Sequence, residues 1–155
     1  MHQRPFEQLA EQLSLAVVIA DRQGRISWTN RAFRELCGYT AEEVSGRKPG
    51  HFLQGGKTDP RTVERLKQAL GRHEPVSVEI LNYHKTGRPY WVRLNIDPLR
   101  DKAGRRAGYI AIEKEMTQEV RERSELECEV VEIYRALLHT TVNPRERVPI
   151  DDPFT

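Results

Sequence analysis

The sequence predicts an α+β fold: a five-stranded antiparallel sheet with short helices on one face, and an amphipathic helix at each end. Three observations carry this expectation. β-Branched runs of period two occur first as a pair, over 15–20 and 25–29, and then as a triplet after residue 75. Helix caps recur at short intervals between the two groups. Turn signals, not long crossovers, separate neighbouring strands, so the pairing is antiparallel and the helices collect on one side.

Each element follows from local chemistry. Residues 4–13 place Phe6, Leu9, Ala10 and Leu13 on one helical stripe, which a short helix cannot bury alone. The run SLAVVIAD, a turn at Gly24 and ISWTN make a hairpin. Asn30 can cap a helix whose Phe33, Leu36 and Cys37 face inward and which Gly38 ends. Thr40 and Glu43 have the spacing of a capping box, and Gly46 stops that helix. Residues 46–57 carry four glycines and a proline, so an irregular segment is expected, with one helical turn at His51–Leu53. Asp59-Pro60 pairs an N-cap with proline at the first helical position. That helix is predicted to reach Gly71, with Val63, Leu66, Ala69 and Leu70 inside. VSVEILNYHK, the turn Lys85–Gly87, RPYWVRLNIDPL, a looser turn at 101–108 and GYIAIEKE then form a three-stranded meander. Thr117 is expected to cap a last helix ending near His139. Along it Leu126, Val130, Ile133 and Leu137 recur at spacings of 4, 3 and 4, beside a row of Val131, Tyr134 and Leu138.

Composition narrows the function classes. The chain has 155 residues, 37% hydrophobic and 31% charged, which suffices for one modest core. No apolar run approaches the roughly 18 residues that span a membrane. MHQRPFEQLAEQ lacks the apolar stretch of a secretory signal. Twenty-five basic residues against 23 acidic ones leave a net charge of +2, so no global field favours nucleic acid. Cys37 and Cys128 have no neighbouring Cys or His that would make a metal site or a disulfide framework. The reducing cytoplasm is the expected compartment.

The stretches WTNRAFRELCGYTAEEVSGR (28–47), HFLQGGKTDP (51–60), EILNYHKTGRPYWV (79–92) and GYIAIEKEMT (108–117) resemble a PAS domain. Within that family they are most similar to the flavin-binding light, oxygen and voltage (LOV) class. The resemblance covers about residues 12 to 118. It implies an N-terminal helix over 1–14, a sensory core over 15–116, a signalling and dimerisation helix over 117–140, and a tail over 141–155 that its three prolines and mixed charge mark as disordered.

The resemblance also assigns residues. LOV domains carry Asn-Cys-Arg before Phe-Leu-Gln, and that cysteine bonds to photoexcited flavin. Here Pro49, Gly50 and His51 precede Phe52-Leu53-Gln54, so Gly50 stands where the cysteine would be. His51 replaces a phosphate-binding arginine, and Lys67 replaces a second one while keeping the charge. Gln54 and Asn82 match residues that line the flavin. Val92 replaces an asparagine that bonds the ring. Glu113 replaces the glutamine that relays flavin protonation to the terminal helix. The cofactor implied is flavin, as FMN or FAD, with redox chemistry instead of thiol addition. Each lost partner of the ring edge weakens that fit by about 1–3 kcal/mol, so these residues argue against standard FMN binding and leave FAD or a smaller ligand open. An ionised Glu113 would be costly to bury, whereas a neutral one can donate.

Other readings stand beside these. Gln54 and Asn82 also suit plain structural hydrogen bonds, and Glu113 also suits a solvent-facing row. If Ile110 and Ile112 face one way, Ala111, Glu113 and Glu115 face the other. Trp28 and Trp91 suit either a ring ligand or core and interface packing. His51 is the best histidine for haem, while His73 looks exposed beyond Gly71 and His84 sits near a turn. No catalytic constellation can be placed, so the chain is not expected to be an enzyme. The expectation is a sensory homodimer. Phe6, Leu9, Leu13, Leu126, Val130, Ile133 and Leu137 form its interface, and Glu113, Glu115 and Thr117 relay the signal to a separate downstream protein. The alternative is a ligand-free PAS interaction module.

Overall fold

The computed structural model describes residues 5–141. The expected tail lies outside the described residues, apart from Thr141. One compact unit runs through Thr117 and a second begins at Gln118. The element order is α1 (Pro5–Glu11), β1 (Ala16–Ala20), β2 (Ile26–Thr29), α2 (Arg31–Cys37), α3 (Ala41–Val44), α4 (Gly50–Leu53), α5 (Pro60–Gly71), β3 (Val76–Tyr83), β4 (Pro89–Arg100), β5 (Arg106–Glu115) and α6 (Thr117–Thr141). The five strands form one sheet in the order β2-β1-β5-β4-β3, antiparallel throughout. The last strand is therefore central. β5 begins two residues before the expected Gly108, because Arg106 still pairs with Arg100 across a register shift.

The caps form as their chemistry dictates. The Asn30 side chain accepts from the Phe33 amide, and Gly38 closes α2 at φ 80°. Thr40 and Glu43 complete a reciprocal capping box. Asp59 caps α5 ahead of Pro60. At Gly38 a side chain would also drive into the His84 ring, so glycine is required there for both conformation and space. Leu36, expected inside, is only half-buried.

Helices α2 to α5 pack on one sheet face. Phe33, Cys37, Val44, Phe52, Leu53 and Leu66 meet Ala16, Val18, Val78, Ile80, Tyr90, Val92 and Leu94. Burying a side chain such as Phe33 contributes roughly 2–3 kcal/mol. α1 does not use its expected stripe for this. Only Ala10 is buried in it, while Phe6, Leu9 and Leu13 stay about half or more exposed. The helix is held instead by polar contacts. The Arg34 guanidinium pairs with Glu11, and Asn30 Nδ2 donates to the Ala10 carbonyl at 2.8 Å.

Asn30 is the polar hub. It is fully buried. Its Oδ1 accepts from Val17 (2.8 Å) and Phe33 (3.0 Å) amides, and its Nδ2 donates to Leu15 (2.8 Å) as well as Ala10. One side chain thus joins α1, β1 and α2. Asn30→Ala removes a cap and strands several buried backbone groups, so it is expected to lower stability by about 3 kcal/mol. Urea denaturation at unchanged m-value checks this; a loss below about 1 kcal/mol would show that water replaces these bonds.

Candidate functional site

A cavity of about 540 Å3 lies between the inner sheet face and the helices, within the range of small-molecule sites at roughly 300–1,000 Å3. Leu53, Val63, Leu66, Leu70, Ile80, Leu94 and Ile96 give it apolar walls. Asn82 and Glu113 line it from the sheet, and Gln54, His51, Lys67, Lys48 and Arg22 line it from loops and α5. A larger hollow of about 920 Å3, beside β2 and α2, is an open trough at the sheet edge with mixed charge, and does not enclose a ligand.

Strand alternation puts the polar floor in place. In β5, Glu113 is buried and Ile112 is exposed, so Glu113 turns inward and the solvent-facing reading fails. Leu94 lies opposite it on β4. Burial pushes the Glu113 carboxyl up to about 7, because the charged form loses its hydration. Its Oε2 is buried without a hydrogen-bond partner. Asn82 on β3, also buried, pairs with Tyr90 across the β3–β4 ladder. The Tyr90 hydroxyl is likewise buried, with the Asn82 side chain close enough to interact with it but not in good hydrogen-bond geometry. Burial, with the neighbouring Glu113, raises its pKa. A buried carboxyl with an unpartnered oxygen is a high-cost group in a core, and it lines the cavity where a ligand's polar edge would satisfy it; Tyr90 is not among the lining residues.

The loop that carries Gln54 is anchored to β3. Thr58 Oγ1 donates to the Leu81 carbonyl (2.7 Å) and accepts from the Gly55 amide (3.0 Å), and the Lys57 amide donates to the Tyr83 hydroxyl (3.0 Å). The Gln54 amide sits over Gly50, where an added Cβ would come 2.9 Å from its nitrogen.

Of the expected site residues, the fold brings Gln54, Asn82, Glu113, Lys67 and His51 to the cavity. It does not bring Phe52, Val92 or Trp91 there. Phe52 turns its ring edge-on to Tyr39 at 5.1 Å, beneath the Arg47 guanidinium at 4.6 Å. Val92 is core, fully buried behind the lining. Trp91 is its neighbour in an extended strand and so points to the opposite sheet face. Trp28 also serves packing, with Phe6 6.3 Å away. His73, expected exposed, is buried: the chain turns there at φ 55° and tucks its ring 5.2 Å from Tyr109. Arg22 and Lys48 were not expected at the site, since each is only a loop cation in the sequence.

The end of β5 is tied to β4. The Met116 amide donates to the Trp91 carbonyl at 2.7 Å, and the Trp91 amide donates to Thr117 Oγ1 at 3.0 Å. The Thr117 hydroxyl donates to the Glu115 carboxylate at 3.3 Å. Thr117 thus spends its oxygen on the strand, not on capping α6 as expected. Neither cysteine lines the cavity: Cys37 is buried in α2 and Cys128 is exposed on α6. Burial raises the Cys37 thiol to about 11, which keeps it protonated and unreactive. Among the described residues no group of His, Cys, Asp or Glu could hold a metal ion. Likewise no helix there is long and apolar enough to cross a membrane.

Glu113 predicts a pH dependence. Its native pKa lies above the ordinary value of 4.5, so between the two values the native state holds a proton that the unfolded chain has released. This favours the native state on the acid side and is lost as pH rises through about 7, a change of about 3 kcal/mol. Glu113→Gln is expected to flatten that slope and to be the more stable protein at pH 8. Paired urea titrations of both proteins at pH 5 and pH 8 test it. Equal pH dependence of the two would place the carboxylate in water.

Comparison with known proteins agrees with this geometry. The PAS domain sequence family matches residues 14–118. A blue-light-activated histidine kinase of Brucella anthropi is 36% identical over 128 residues, which are 81% of this chain and 26% of that protein. The chain therefore spans about a quarter of that kinase's length. The solved structure of an RNA-binding light-oxygen-voltage receptor aligns with TM-score 0.74 at 29% identity, over 81% of this chain and 36% of that one. A light-oxygen-voltage domain from work on a flavin analogue aligns with TM-score 0.69 at 31% identity, over 84% of this chain and 97% of that one. The order of elements, the cavity between sheet and helices, and these matches make the chain a member of the PAS domain family, in its light-oxygen-voltage branch.

Proposed function

We propose that the chain is a sensory domain that binds flavin in the 540 Å3 cavity and passes the flavin's state along β5 to α6, without forming a cysteinyl adduct. One observation carries the reading: Glu113, buried and with an unpartnered oxygen, lines the cavity from β5 while Asn82 lines it from β3, so that a ring's donors and acceptors would have polar groups to meet on the sheet. A bound flavin would supply visible-light absorption and one-electron chemistry. In this reading Asn82, Gln54 and Glu113 orient its polar edge, and the aliphatic walls hold its faces. Glu113, neutral below about 7, can donate as well as accept, a role an ionised carboxylate cannot fill. No cysteine lines the cavity, which supports redox chemistry over thiol addition. The cavity itself weighs against the ligand-free module, since core side chains leave it unfilled.

The relay runs through the chain. Reorientation of Glu113 pulls on β5, whose end is tied to Trp91 by Met116 and Thr117, and so reaches the first turn of α6. Leu126, Val130 and Ile133 are exposed on α6 at 62%, 63% and 55%, and in this reading they bury against the same helix of a second copy, with Phe6, Leu9, Leu13 and Leu137 adding to the homodimer interface. The chain senses and does not catalyse. Its output passes to a downstream signalling protein or effector domain in the cytoplasm, where the two thiols stay reduced.

The test is the visible spectrum of freshly purified protein, with mass spectrometry of what heat releases. A flavin band and a released flavin are expected; colourless protein whose stability no added flavin alters contradicts the reading. In the coloured protein, Glu113→Ala should keep the flavin but lose the light- or redox-dependent change in α6, read by a spin label on that helix. If the helix still responds, Glu113 is not the relay.

A further inference from the structure

The net charge of +2 conceals a local concentration of cations at one end of the sheet. The β4–β5 turn and its flanks, residues 100–107, hold Arg100, Lys102, Arg105 and Arg106 against one acid, Asp101. Every residue of this segment is exposed. The segment also stands clear of the sheet. β3 stops pairing with β4 at Ile96, and β1 stops pairing with β5 at Tyr109. Beyond those points β4 and β5 pair only with each other, Leu99 with Gly108 and Arg100 with Arg106. The result is a two-stranded ribbon reaching about 10 Å past the end of β1. Its tip is fixed. Asp101 Oδ1 accepts from the Ala103 and Arg105 amides, both at 2.9 Å, and Oδ2 accepts from Arg105 Nε at 3.1 Å. Gly104 turns the chain at φ 78°, and its carbonyl accepts from Arg100 Nη1 at 2.9 Å. The one acid of the tip is therefore spent on the turn. Lys102 and Arg106 are in no ion pair among the described residues, whereas Arg31, Arg34, Arg61, Lys85 and Arg93 each have an acidic partner. The next acid back along β4 is Asp97. A second turn repeats the build: Asp-Arg-Gln-Gly-Arg over 21–25 matches Asp-Lys-Ala-Gly-Arg over 101–105. There Asp21 Oδ1 accepts from the Gln23 and Arg25 amides at 2.9 and 3.0 Å. Ala20 pairs with Tyr109, so this turn lies beside the base of the ribbon and adds Arg25 to the same end.

Shape and chemistry together narrow the partner. Residues 100–107 include no aromatic and no large aliphatic side chain. The ribbon thus offers neither the apolar anchors that protein interfaces are built around nor a group to insert into a bilayer. Ala103, Gly104 and Ala107 keep it narrow. The major groove of B-form DNA, about 12 Å wide, admits a two-stranded ribbon, whereas the corresponding groove of A-form RNA is too narrow. We propose that the β4–β5 ribbon enters the major groove of duplex DNA. Lys102 and Arg106 meet the phosphates of the groove walls, and Arg25 meets the backbone beside it. These are phosphate contacts, so they position the duplex without reading its sequence, and their strength falls steeply with salt. The ribbon lies outside the cavity lining, and this inference does not depend on the cavity holding flavin.

The experiment is fluorescence anisotropy of a labelled duplex DNA of about 20 base pairs, titrated with the full chain between about 50 and 200 mM salt. The wild type is expected to bind with a Kd below about 100 μM at the lowest salt, and log K should fall against log salt with a slope of about −3 to −4. Lys102→Gln/Arg106→Gln should lose at least about tenfold in affinity at low salt and show a slope shallower by about 2. Both residues are exposed, so the Tm of that variant should match the wild type. Amide NMR signals of residues 100–107 should move when DNA is added to the wild type, which checks the surface without a substitution. No binding up to about 100 μM protein at the lowest salt, affinity that the double variant retains, or shifts confined to other segments overturns the inference. An RNA duplex of the same sequence bound as tightly as the DNA overturns the groove assignment. Sedimentation with phosphatidylserine vesicles in the absence of DNA binding overturns it in favour of a membrane surface.

Discussion

Strand β5 is last among the strands in the chain and central in the sheet, pairing with β1 on one side and β4 on the other. Everything else depends on that placement. A central strand has both edges hydrogen-bonded, so it cannot shift without disturbing two ladders at once. It carries Glu113 on its inner face and leads through Met116 and Thr117 directly into α6. Gly108, near its start, lies so close to β1 that a side chain would run into the Ala20 carbonyl. A buried cavity-lining carboxyl, sheet pairing and the exit helix therefore lie on one short stretch of chain.

The interior is built from conflicting demands. Aliphatic walls and a full apolar core favour folding, while Glu113, Tyr90 and Asn82 are polar groups set into that same core. An unpartnered buried polar group costs about 1–3 kcal/mol. Such a cost can persist where a ligand later satisfies the group, and functional sites are where such conflicts with folding are expected. The rim repeats the pattern in charge: cations gather where no acid answers them. Floor and rim thus differ in character: the floor is polar and buried, the rim exposed and cationic.

Local chemistry made much of the fold legible. The caps at Asn30, Thr40 and Asp59 need partners within three residues, so short motifs reveal them. Long-range roles were not legible. Asn30 also binds Val17, Leu15 and Ala10, which only the folded chain brings near. Arg22 and Lys48 meet Lys67 for the same reason. The left-handed turn that buries His73 has no glycine to announce it. The misplacement of Trp91 was avoidable: adjacent strand residues face opposite ways, so Val92 and Trp91 could not both face the ligand. That same parity set Glu113 opposite Ile112 but left open which face is inside; the resemblance pointed inward, and burial of Glu113 with exposure of Ile112 agrees. Phe52 was lost to a competing aromatic contact with Tyr39, which sequence spacing does not reveal.

The account stands on the state of one carboxyl. The most direct measurement is an NMR titration of the side-chain carbon of Glu113, labelled with 13C-glutamate and assigned by its loss in Glu113→Gln, with and without FMN. The account predicts a midpoint near 7 in the empty protein and a clear displacement of both shift and midpoint when FMN is added. A midpoint in the ordinary carboxylate range, indifferent to FMN, would contradict it.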